Sequence, residues 1–314
     1  MTDREAGAPP GVSVICVTYQ SRDHVVECLG SAVASAVAAG VSAELIVVDN
    51  ASTDGSADAA QAAFPRAIVI RNDENRGFGA ANNQAFRLAR GATWLLLNPD
   101  ARLDEGAIGA LLAALSSDPG LAAVGPSIRG AGVGGAESAG MLPGLRSLAG
   151  HFLFVNRLLP FDRGGPWRGW FLRPCRRPSM RAVEWASGAA MLLRPEAISQ
   201  VSGFDEAFFL YGEDTDLCAR LLDRGWRIAL VPAATAWHAI GGSQPAASTR
   251  WIDGLDAFMR RRGRGRLARS ACFVGMAVGL AIRGLWPGAG PAGGSEARRM
   301  RAAARRAVAV ALGG

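Results

Sequence analysis

The sequence predicts an α/β protein with a mostly parallel central sheet, helices on both faces and a C-terminal helical extension. Short β-branched runs alternate with Ala-rich helical stretches through the first hundred of its 314 residues. Hydrophobic residues make up 49% of the chain and charged residues 19%, which favours a large core over a disordered chain. Polar residues follow the strands, at the edge where sheets of this kind bind ligands.

The first strands and helices alternate without interruption. Turn signals separate them, since Asp54-Gly55 precedes the second helix and Asn98-Pro99-Asp100 stops the fourth strand. This order requires crossover connections, which make paired strands parallel. The strands are predicted at residues 12–17, 45–48, 67–70 and 94–97, and the helices at residues 22–39, 56–63 and 78–90.

The remainder of the chain is less regular. Residues 126–181 are predicted to be irregular because they are rich in Gly and Pro, and from residue 146 onward they hold eight Arg against one acid. A helix is predicted after Gly212 and a strand at residues 226–231. Residues 250–314 hold thirteen Arg against three acids. The predicted organisation is a disordered N-terminus (1–10), an α/β domain (11–246) and a basic helical extension (247–314).

The chain is basic, with a formal net charge of +7, a pI of about 10 and no Lys. Such a balance is typical of proteins that bind nucleic acid, an anionic membrane or a phosphorylated ligand, although codon bias toward Arg gives the same composition. The five Cys lack the spacing of a zinc site, which favours free thiols in a reducing cytoplasm. The residues before Val12 contain no apolar signal-peptide segment, so we expect a cytoplasmic protein.

Eight sequence blocks, in this order, resemble glycosyltransferase family 2 and, within it, the rhamnosyltransferase-like group. They are VICVTY (14–19), VVDNASTDGS (47–56), NRGFGAANN (75–83), LLNPD (96–100), SGA (187–189), GFDEAFF (203–209), GEDTDL (212–217) and WH (237–238). The resemblance implies a GT-A fold, an inverting reaction, a nucleoside-diphosphate sugar donor and a divalent metal, Mg²⁺ or Mn²⁺. Residues 11–246 are then the catalytic domain.

Donor-nucleotide contacts are expected where the first blocks end their strands. Asp49 can accept a hydrogen bond from a base imide or a ribose hydroxyl; the alternative is a helix cap, which suits residues 52–54 better. Gly77 and Gly79 permit close backbone approach to a ligand at a helix start, although an ordinary turn also uses glycine. The residues predicted to bind the donor are Val17, Thr18, Tyr19, Asp49, Asn75, Gly77, Gly79, Asn82 and Asn98.

The metal is expected at Asp100 and His238. Asn98-Pro99-Asp100 stands where many relatives carry Asp-x-Asp, and one carboxylate together with diphosphate oxygens and water can hold Mg²⁺ or Mn²⁺. The alternative is a strand-end turn, since Asn-Pro favours turns. A lone His is more often structural than a ligand, but the Trp237-His238 block implies that His238 completes the metal shell.

Glu213, Asp214 and Asp216 supply a carboxylate cluster at a predicted helix start. Acids in a first helical turn complement the helix dipole, which is the alternative explanation. Inverting transfer needs a carboxylate to take the acceptor hydroxyl proton. By its position in the family motif Asp214 is the expected base, with Glu213 second and Asp216 as a supporting residue.

Two basic segments suggest how an acceptor and a membrane are recognised. The Arg-rich residues 146–181 suit a polyprenyl-diphosphate-linked acceptor, or form a solvated loop. The apolar residues 271–282 lie between Arg269 and Arg283 and are too short to span a bilayer. An interfacial anchor at the inner face of the plasma membrane, or a helix packed on the catalytic domain, fits this stretch.

The sequence therefore predicts an inverting glycosyltransferase that moves rhamnose from dTDP-rhamnose to a cell-envelope glycan or lipid-linked acceptor. The alternative is a nucleotidyltransferase acting on a sugar phosphate. That class usually has a Gly-rich basic loop after the first strand, where this chain has Tyr19-Gln20-Ser21-Arg22. A nucleic-acid binder is suggested by charge alone, and the clustered carboxylates argue against it.

Overall fold

The computed structural model describes residues 10–130, 139–153, 170–172, 179–238, 249–285 and 293–313. The predicted disordered start therefore lies almost wholly outside the described residues. The strands are β1 (Val12–Thr18), β2 (Ala43–Asp49), β3 (Ile68–Arg71), β4 (Thr93–Leu97), β5 (Ala101–Leu103), β6 (Leu121–Arg129), β7 (Ala139–Gly140), β8 (Arg181–Val183), β9 (Trp185–Ala186), β10 (Ala190–Leu193) and β11 (Arg227–His238). The helices are α1 (Arg22–Ala38), α2 (Ser56–Ala63), α3 (Phe78–Phe86), α4 (Ala107–Ser117), α5 (Leu145–Phe152), α6 (Pro195–Gln200), α7 (Glu213–Asp223), α8 (Arg250–Arg261), α9 (Arg266–Leu285) and α10 (Gly293–Leu312).

One mixed sheet organises the molecule, with the strand order β3-β2-β1-β4-β10-β6-β11-β5 and β8 paired to β11. The first four strands of that order are parallel, as the alternation of strands and helices predicts. Beyond them, β10 is antiparallel to both β4 and β6, whereas β6 and β11 are parallel. In this register Thr18 lies opposite Asp49, so that the strand-end polar residues meet at one edge of the sheet.

Helices cover both faces of the sheet and bury two hydrophobic cores. One core joins the sheet to α1 and α4 through residues such as Leu29 and Leu111. The other joins the opposite face to α3 and α7, and it continues without a break into the C-terminal helices through Phe258, Phe273 and Ala307. Helices α8, α9 and α10 therefore pack directly on the α/β domain, while the predicted boundary at residue 246 lies outside the described residues.

Residues 126–181 contain more regular structure than their composition predicts. Strand β6 continues through Pro126 to Arg129, and Pro126 pairs with β11 beside a register shift, where a missing N–H is tolerated. Helix α5 follows Gly144 and buries Leu148 and Phe152 in the core. The prediction of an irregular segment is wrong for these residues, because burial of two apolar side chains one turn apart outweighs the neighbouring Gly and Pro. Residues 131–138, 154–169 and 173–178 lie outside the described residues.

Two predicted element boundaries also differ from the structure. Helix α3 ends at Phe86 rather than at residue 90, because Gly91 lies against the backbone of Ser13 and the chain must turn before it. Strand β11 extends to His238 instead of stopping at residue 231. Its second half pairs with β5, which brings His238 beside the end of β4.

Candidate active site

The carboxyl ends of β1 and β2 form the first part of the site. Thr18 donates a hydrogen bond from Oγ1 to Oδ1 of Asp49 at 2.8 Å, and the backbone N–H of Ser52 donates to Oδ2 at 3.1 Å. Both Thr18 and Asp49 are buried. These contacts fix the carboxylate at the strand end. Tyr19, the next residue after β1, is exposed, whereas the side chain of Val17 packs in the core.

The block of residues 75–83 borders this part of the site, and its two glycines pack against the segment that contains Phe204 and Phe209. Gly77 has a φ of +84°, and a Cβ there would collide with the backbone oxygen of Phe209. A Cβ on Gly79 would lie 3.0 Å from the side chain of Phe204. The expectation that these two positions are Gly because a ligand approaches them is wrong, since their open sides face Phe204 and Phe209. Nucleotide contact through the backbone of this block stays a prediction.

Three asparagines form hydrogen bonds to the backbone of residues 77 and 78 in the same block. Asn50 donates from Nδ2 to the carbonyl oxygen of Gly77 at 3.1 Å, and Asn75 accepts from the N–H of Gly77 at 3.0 Å. Asn82 is buried and donates from Nδ2 to the carbonyl oxygen of Phe78 at 2.9 Å, one turn earlier in α3. Asn50 was not among the predicted site residues, although it follows Asp49 in the quoted block.

Asp100 and His238 meet directly at the end of β4. The pairing of β11 with β5 sets His238 opposite Ala101, and Nε2 of His238 lies 3.0 Å from Oδ1 of Asp100. Asn98 lies on the other side of the ring, with Nδ2 at 3.4 Å from the same Nε2. Its Oδ1 is buried and has no hydrogen-bond partner among the described residues.

This donor set fits a divalent cation that also binds a diphosphate. Two cis ligands at about 2.1 Å from an octahedral ion stand roughly 3.0 Å apart, which is the separation of Nε2 and Oδ1 here. Within the described ranges no group of three or more His, Cys, Asp or Glu side chains could hold a metal. If Asp100 and His238 held a metal, most coordination positions would be left to ligand oxygens and water.

Asp214 and Glu213 begin α7, directly after Gly212. Asp214 accepts from the N–H of Gly188 at 3.2 Å and from the N–H of Thr215 at 2.7 Å. The residue as a whole is half-buried, and its carboxyl group is buried. Burial raises the pKa of the Asp214 carboxyl, and the hydrogen bonds from Gly188 and Thr215 oppose that rise.

Glu213 differs from Asp214 in its hydrogen bonds. It is 5% exposed, and its Oε2 finds no partner among the described residues. Burial, followed by repulsion from Asp214, raises the pKa of Glu213 to about 8. Glu213 is therefore largely protonated at neutral pH, and Asp214 stays the predicted base.

Asp216 is a supporting residue. Its Oδ2 accepts from Nε of Arg220 at 2.7 Å, and Arg220 donates to the carbonyl oxygens of Val201 and Gly203 at 2.6 and 2.8 Å. This network ties α7 to the turn that precedes Phe204. Of the three acids at the start of α7, Asp216 therefore has a structural role.

A short loop joins the metal candidate to the carboxylate cluster. The N–H of Gly188 binds Asp214, and the carbonyl oxygen of the next residue, Ala189, accepts from the N–H of Asn98 at 2.9 Å. A Cβ on Gly188 would lie 3.1 Å from the ring of Phe78, at the start of α3. The structure thus brings the segment of the Asp100–His238 pair and the α7 carboxylates together around residues 187–189, with the start of α3 beside them.

Comparison with known proteins assigns the family. The description "Glycosyl transferase family 2" matches residues 13–161, and "Glycosyl transferase family group 2" matches residues 166–283. An N-acetylglucosaminyl-diphospho-decaprenol L-rhamnosyltransferase of Mycobacterium tuberculosis is 34% identical over 236 residues, which are 72% of this chain and 75% of the relative. The chain belongs to glycosyltransferase family 2.

This family 2 glycosyltransferase also resembles a second rhamnosyltransferase and solved structures. Rhamnosyltransferase WbbL of Escherichia coli K12 is 46% identical over 56 residues, or 18% of this chain and 21% of the relative. The mannosyltransferase PcManGT of Pyrobaculum calidifontis, solved with GDP-Man and Mn²⁺, matches with a TM-score of 0.58 at 19% identity, covering 97% of this chain and 89% of that one. GalNAc-T7, solved with UDP, GalNAc and Mn²⁺, matches with a TM-score of 0.59 at 13% identity, covering 81% and 48%.

These findings confirm the rhamnosyltransferase-like group and the GT-A fold. They also confirm the glycosyltransferase class, so the nucleotidyltransferase hypothesis is wrong.

Sequence reasoning assigned no role to Tyr211, which lies within electrostatic reach of Glu213 and Asp100. Its φ is +71°, a strained value for a bulky residue. A Cβ on Gly254 of α8 would collide with its carbonyl oxygen, so α8 holds the strained residue in place. Burial raises the pKa of the Tyr211 hydroxyl, and the negative charges of Glu213 and Asp100 add to the rise. The aromatic run before the acidic motif was the available signal.

Proposed function

We propose that this glycosyltransferase moves a sugar, with inversion, from a nucleoside-diphosphate donor to a hydroxyl of a cell-envelope glycan or polyprenyl-diphosphate-linked acceptor. The observation that carries the proposal is the loop at Gly188 and Ala189, which joins the carboxylate of Asp214 to the Asn98 segment beside Asp100 and His238. An in-line displacement needs the base and the group that binds the diphosphate to lie in the same site, on opposite sides of the anomeric carbon.

Donor binding follows from the strand-end residues. The carboxylate of Asp49, held by Thr18 and Ser52, receives hydrogen bonds from the nucleoside. The proposed donor is dTDP-rhamnose, and the Mycobacterium tuberculosis relative, an L-rhamnosyltransferase, supports the choice of sugar. Asp100 and His238 would hold Mg²⁺ or Mn²⁺, which neutralises the charge that develops on the leaving diphosphate.

Asp214 carries the chemistry of transfer. The acceptor hydroxyl oxygen attacks the anomeric carbon while Asp214 takes its proton, and the bond from that carbon to the diphosphate oxygen breaks. The N–H groups of Gly188 and Thr215 orient the carboxylate. Glu213, kept protonated by burial, adds no second negative charge beside the departing nucleoside diphosphate.

Helix α9 supports a place at an anionic membrane surface. Within the described residues it is the one helix long and apolar enough to cross a membrane by length and composition. The apolar stretch expected at residues 271–282 is therefore part of a longer helix, Arg266–Leu285. One side of α9 is buried against α5 and α10, with Phe273 and Met276 in the core. The exposed side carries apolar residues Leu267, Val274, Val278, Ile282 and Leu285. We propose that this apolar face of α9 lies on the cytoplasmic leaflet.

A donor panel tests the proposal. Purified protein with Mn²⁺ and N-acetylglucosaminyl-diphospho-decaprenol should transfer rhamnose from dTDP-rhamnose, and NMR of the product should show the inverted anomer. The rate of transfer from dTDP-rhamnose is compared with the rates from other UDP-, GDP- and dTDP-linked sugars. Transfer from another nucleotide sugar alone would overturn the rhamnose assignment, and a retained anomer would overturn the proposed mechanism.

A further inference from the structure

A groove of about 510 Å³ opens between α5 and the helices α8 and α9. Its apolar wall includes Leu142, Leu145 and Met259, and its cations are Arg146 and Arg264. Glu184 also lines the groove. The groove therefore combines an apolar surface with two positive charges beside the catalytic domain.

Arg146 and Arg264 differ from neighbouring arginines because neither forms an ion pair among the described residues, although Glu184 lines the same groove. Arg260 and Arg269 both pair with Asp256, and Arg262 pairs with Asp223. Neither Arg146 nor Arg264 forms an ion pair or side-chain hydrogen bond with any residue in the described part of the chain, and both are exposed in the groove. Two unpaired guanidinium groups in one groove suit a ligand with adjacent phosphates, which they bind in bidentate fashion.

The position of Glu184 links the groove to the reaction. Its Oε2 accepts from the N–H of Leu142 at 2.8 Å, which turns the carboxylate into the groove wall. Four residues later on the same segment, Gly188 binds Asp214. Four residues span at most about 14 Å, which limits the distance between the groove wall at Glu184 and the base candidate's partner Gly188.

The groove also opens toward the apolar face of α9. Ala268 lines the groove, and its neighbour Leu267 begins that exposed face. A lipid chain attached to a diphosphate at Arg264 would therefore continue along apolar surface, with its charged end held at the arginines.

We propose that this groove binds the diphosphate and the first isoprene units of a polyprenyl-diphosphate-linked acceptor. The inference rests on the proposed function, and it identifies a subsite that is separate from the donor residues. The acceptor sugar would then lie past Glu184 and present its hydroxyl to Asp214.

Binding of farnesyl diphosphate tests the subsite without requiring catalysis. Calorimetry is done with the donor site filled by excess nucleoside diphosphate and Mn²⁺. Arg146→Ala/Arg264→Ala should weaken binding on the order of 10–100-fold, because two charge-assisted contacts are lost. The matched control Arg66→Ala/Arg87→Ala removes two exposed cations elsewhere and should bind as the unmodified protein does. Equal affinity of the groove double variant and the unmodified protein would overturn the inference.

A second variant fills the groove without removing charge. Ala268→Trp should lower kcat/KM for N-acetylglucosaminyl-diphospho-decaprenol about tenfold or more, with Tm and acceptor-free donor hydrolysis unchanged. Unchanged kcat/KM in this variant would count against the groove. The proposed function would instead be overturned if the unmodified protein neither hydrolysed nor transferred a sugar from any nucleotide sugar. In that case the farnesyl diphosphate titration would still decide whether the groove binds diphosphate lipids.

Discussion

Glu213 and Asp214 are adjacent carboxylic acids that differ in their hydrogen bonds. Asp214 accepts two backbone hydrogen bonds, whereas Glu213 is buried and its Oε2 has no partner among the described residues. Burial raises the pKa of both carboxyls, and the hydrogen bonds from Gly188 and Thr215 oppose that rise at Asp214. This difference favours Asp214 over Glu213 as the predicted base.

The protonation of Glu213 gives a pH-dependent prediction. Its pKa is about 8 in the folded protein against an ordinary value of 4.5, so the folded state binds the proton more tightly than the unfolded chain. The stability that this proton contributes is present below pH 4.5 and is lost as pH rises through about 8. Glu213→Gln should therefore raise Tm relative to the unmodified protein more at pH 8.5 than at pH 5, as measured by calorimetry. An identical Tm difference at both pH values would show that Glu213 ionises normally.

Asp100 gives the second residue-scale prediction. Asp100→Ala should weaken binding of nucleoside diphosphate with Mn²⁺ on the order of tenfold or more, since it removes a charged metal ligand. The fold should persist because a strand-end carboxylate carries no core packing. Titration calorimetry measures the affinity, with the exposed Asp58→Ala as the matched control. Unchanged affinity of Asp100→Ala would remove this residue from the metal site.

The positions of the strands and helices explain why some site residues could be predicted from the sequence and others could not. Asp49, Asp100 and Asp214 each stand at the end of a strand or the start of a helix, so local patterns located them. The contact of His238 with Asp100 depends on the antiparallel pairing of β11 with β5, which no local pattern encodes. Gly77 and Gly79 could be assigned to a turn, but the partners Phe209 and Phe204 lie more than a hundred residues away.

The apolar face of α9 gives the element-scale prediction. Val274→Glu/Val278→Glu should reduce co-sedimentation with anionic phospholipid vesicles severalfold, because two charges enter the surface proposed to meet lipid. Both side chains are exposed, so the fold should be retained. Val37→Glu, an exposed valine on α1, provides the control. Undiminished sedimentation of the α9 variant would place the membrane contact elsewhere or remove it.

The whole molecule behaves as one packed unit in the part that the structure describes. The core on the α3 and α7 face continues into α8, α9 and α10. The sequence allowed this packing as one of two interpretations of residues 271–282, but it could not choose between them, because an amphipathic helix has the same spacing of apolar residues whether it meets a protein or a membrane.

Phe273 tests that continuity. It is fully buried on α9, and Phe273→Ala should destabilise the protein by about 3–5 kcal/mol through the lost burial and the cavity left behind. Thermal unfolding should remain a single transition at a lower Tm. Two separate transitions, with only the smaller one shifted, would show that the C-terminal helices fold independently of the α/β domain.

The central claim is that Asp214 takes the acceptor proton while Glu213 does not. Single-turnover kinetics of Asp214→Asn and Glu213→Gln, with dTDP-rhamnose and N-acetylglucosaminyl-diphospho-decaprenol, measure it most directly. Asp214→Asn should lower the transfer rate by about two to four orders of magnitude with donor affinity nearly intact, because the amide keeps the shape but cannot accept the proton. Glu213→Gln should have a much smaller effect. Full loss of transfer in Glu213→Gln with a mild effect of Asp214→Asn would contradict the account.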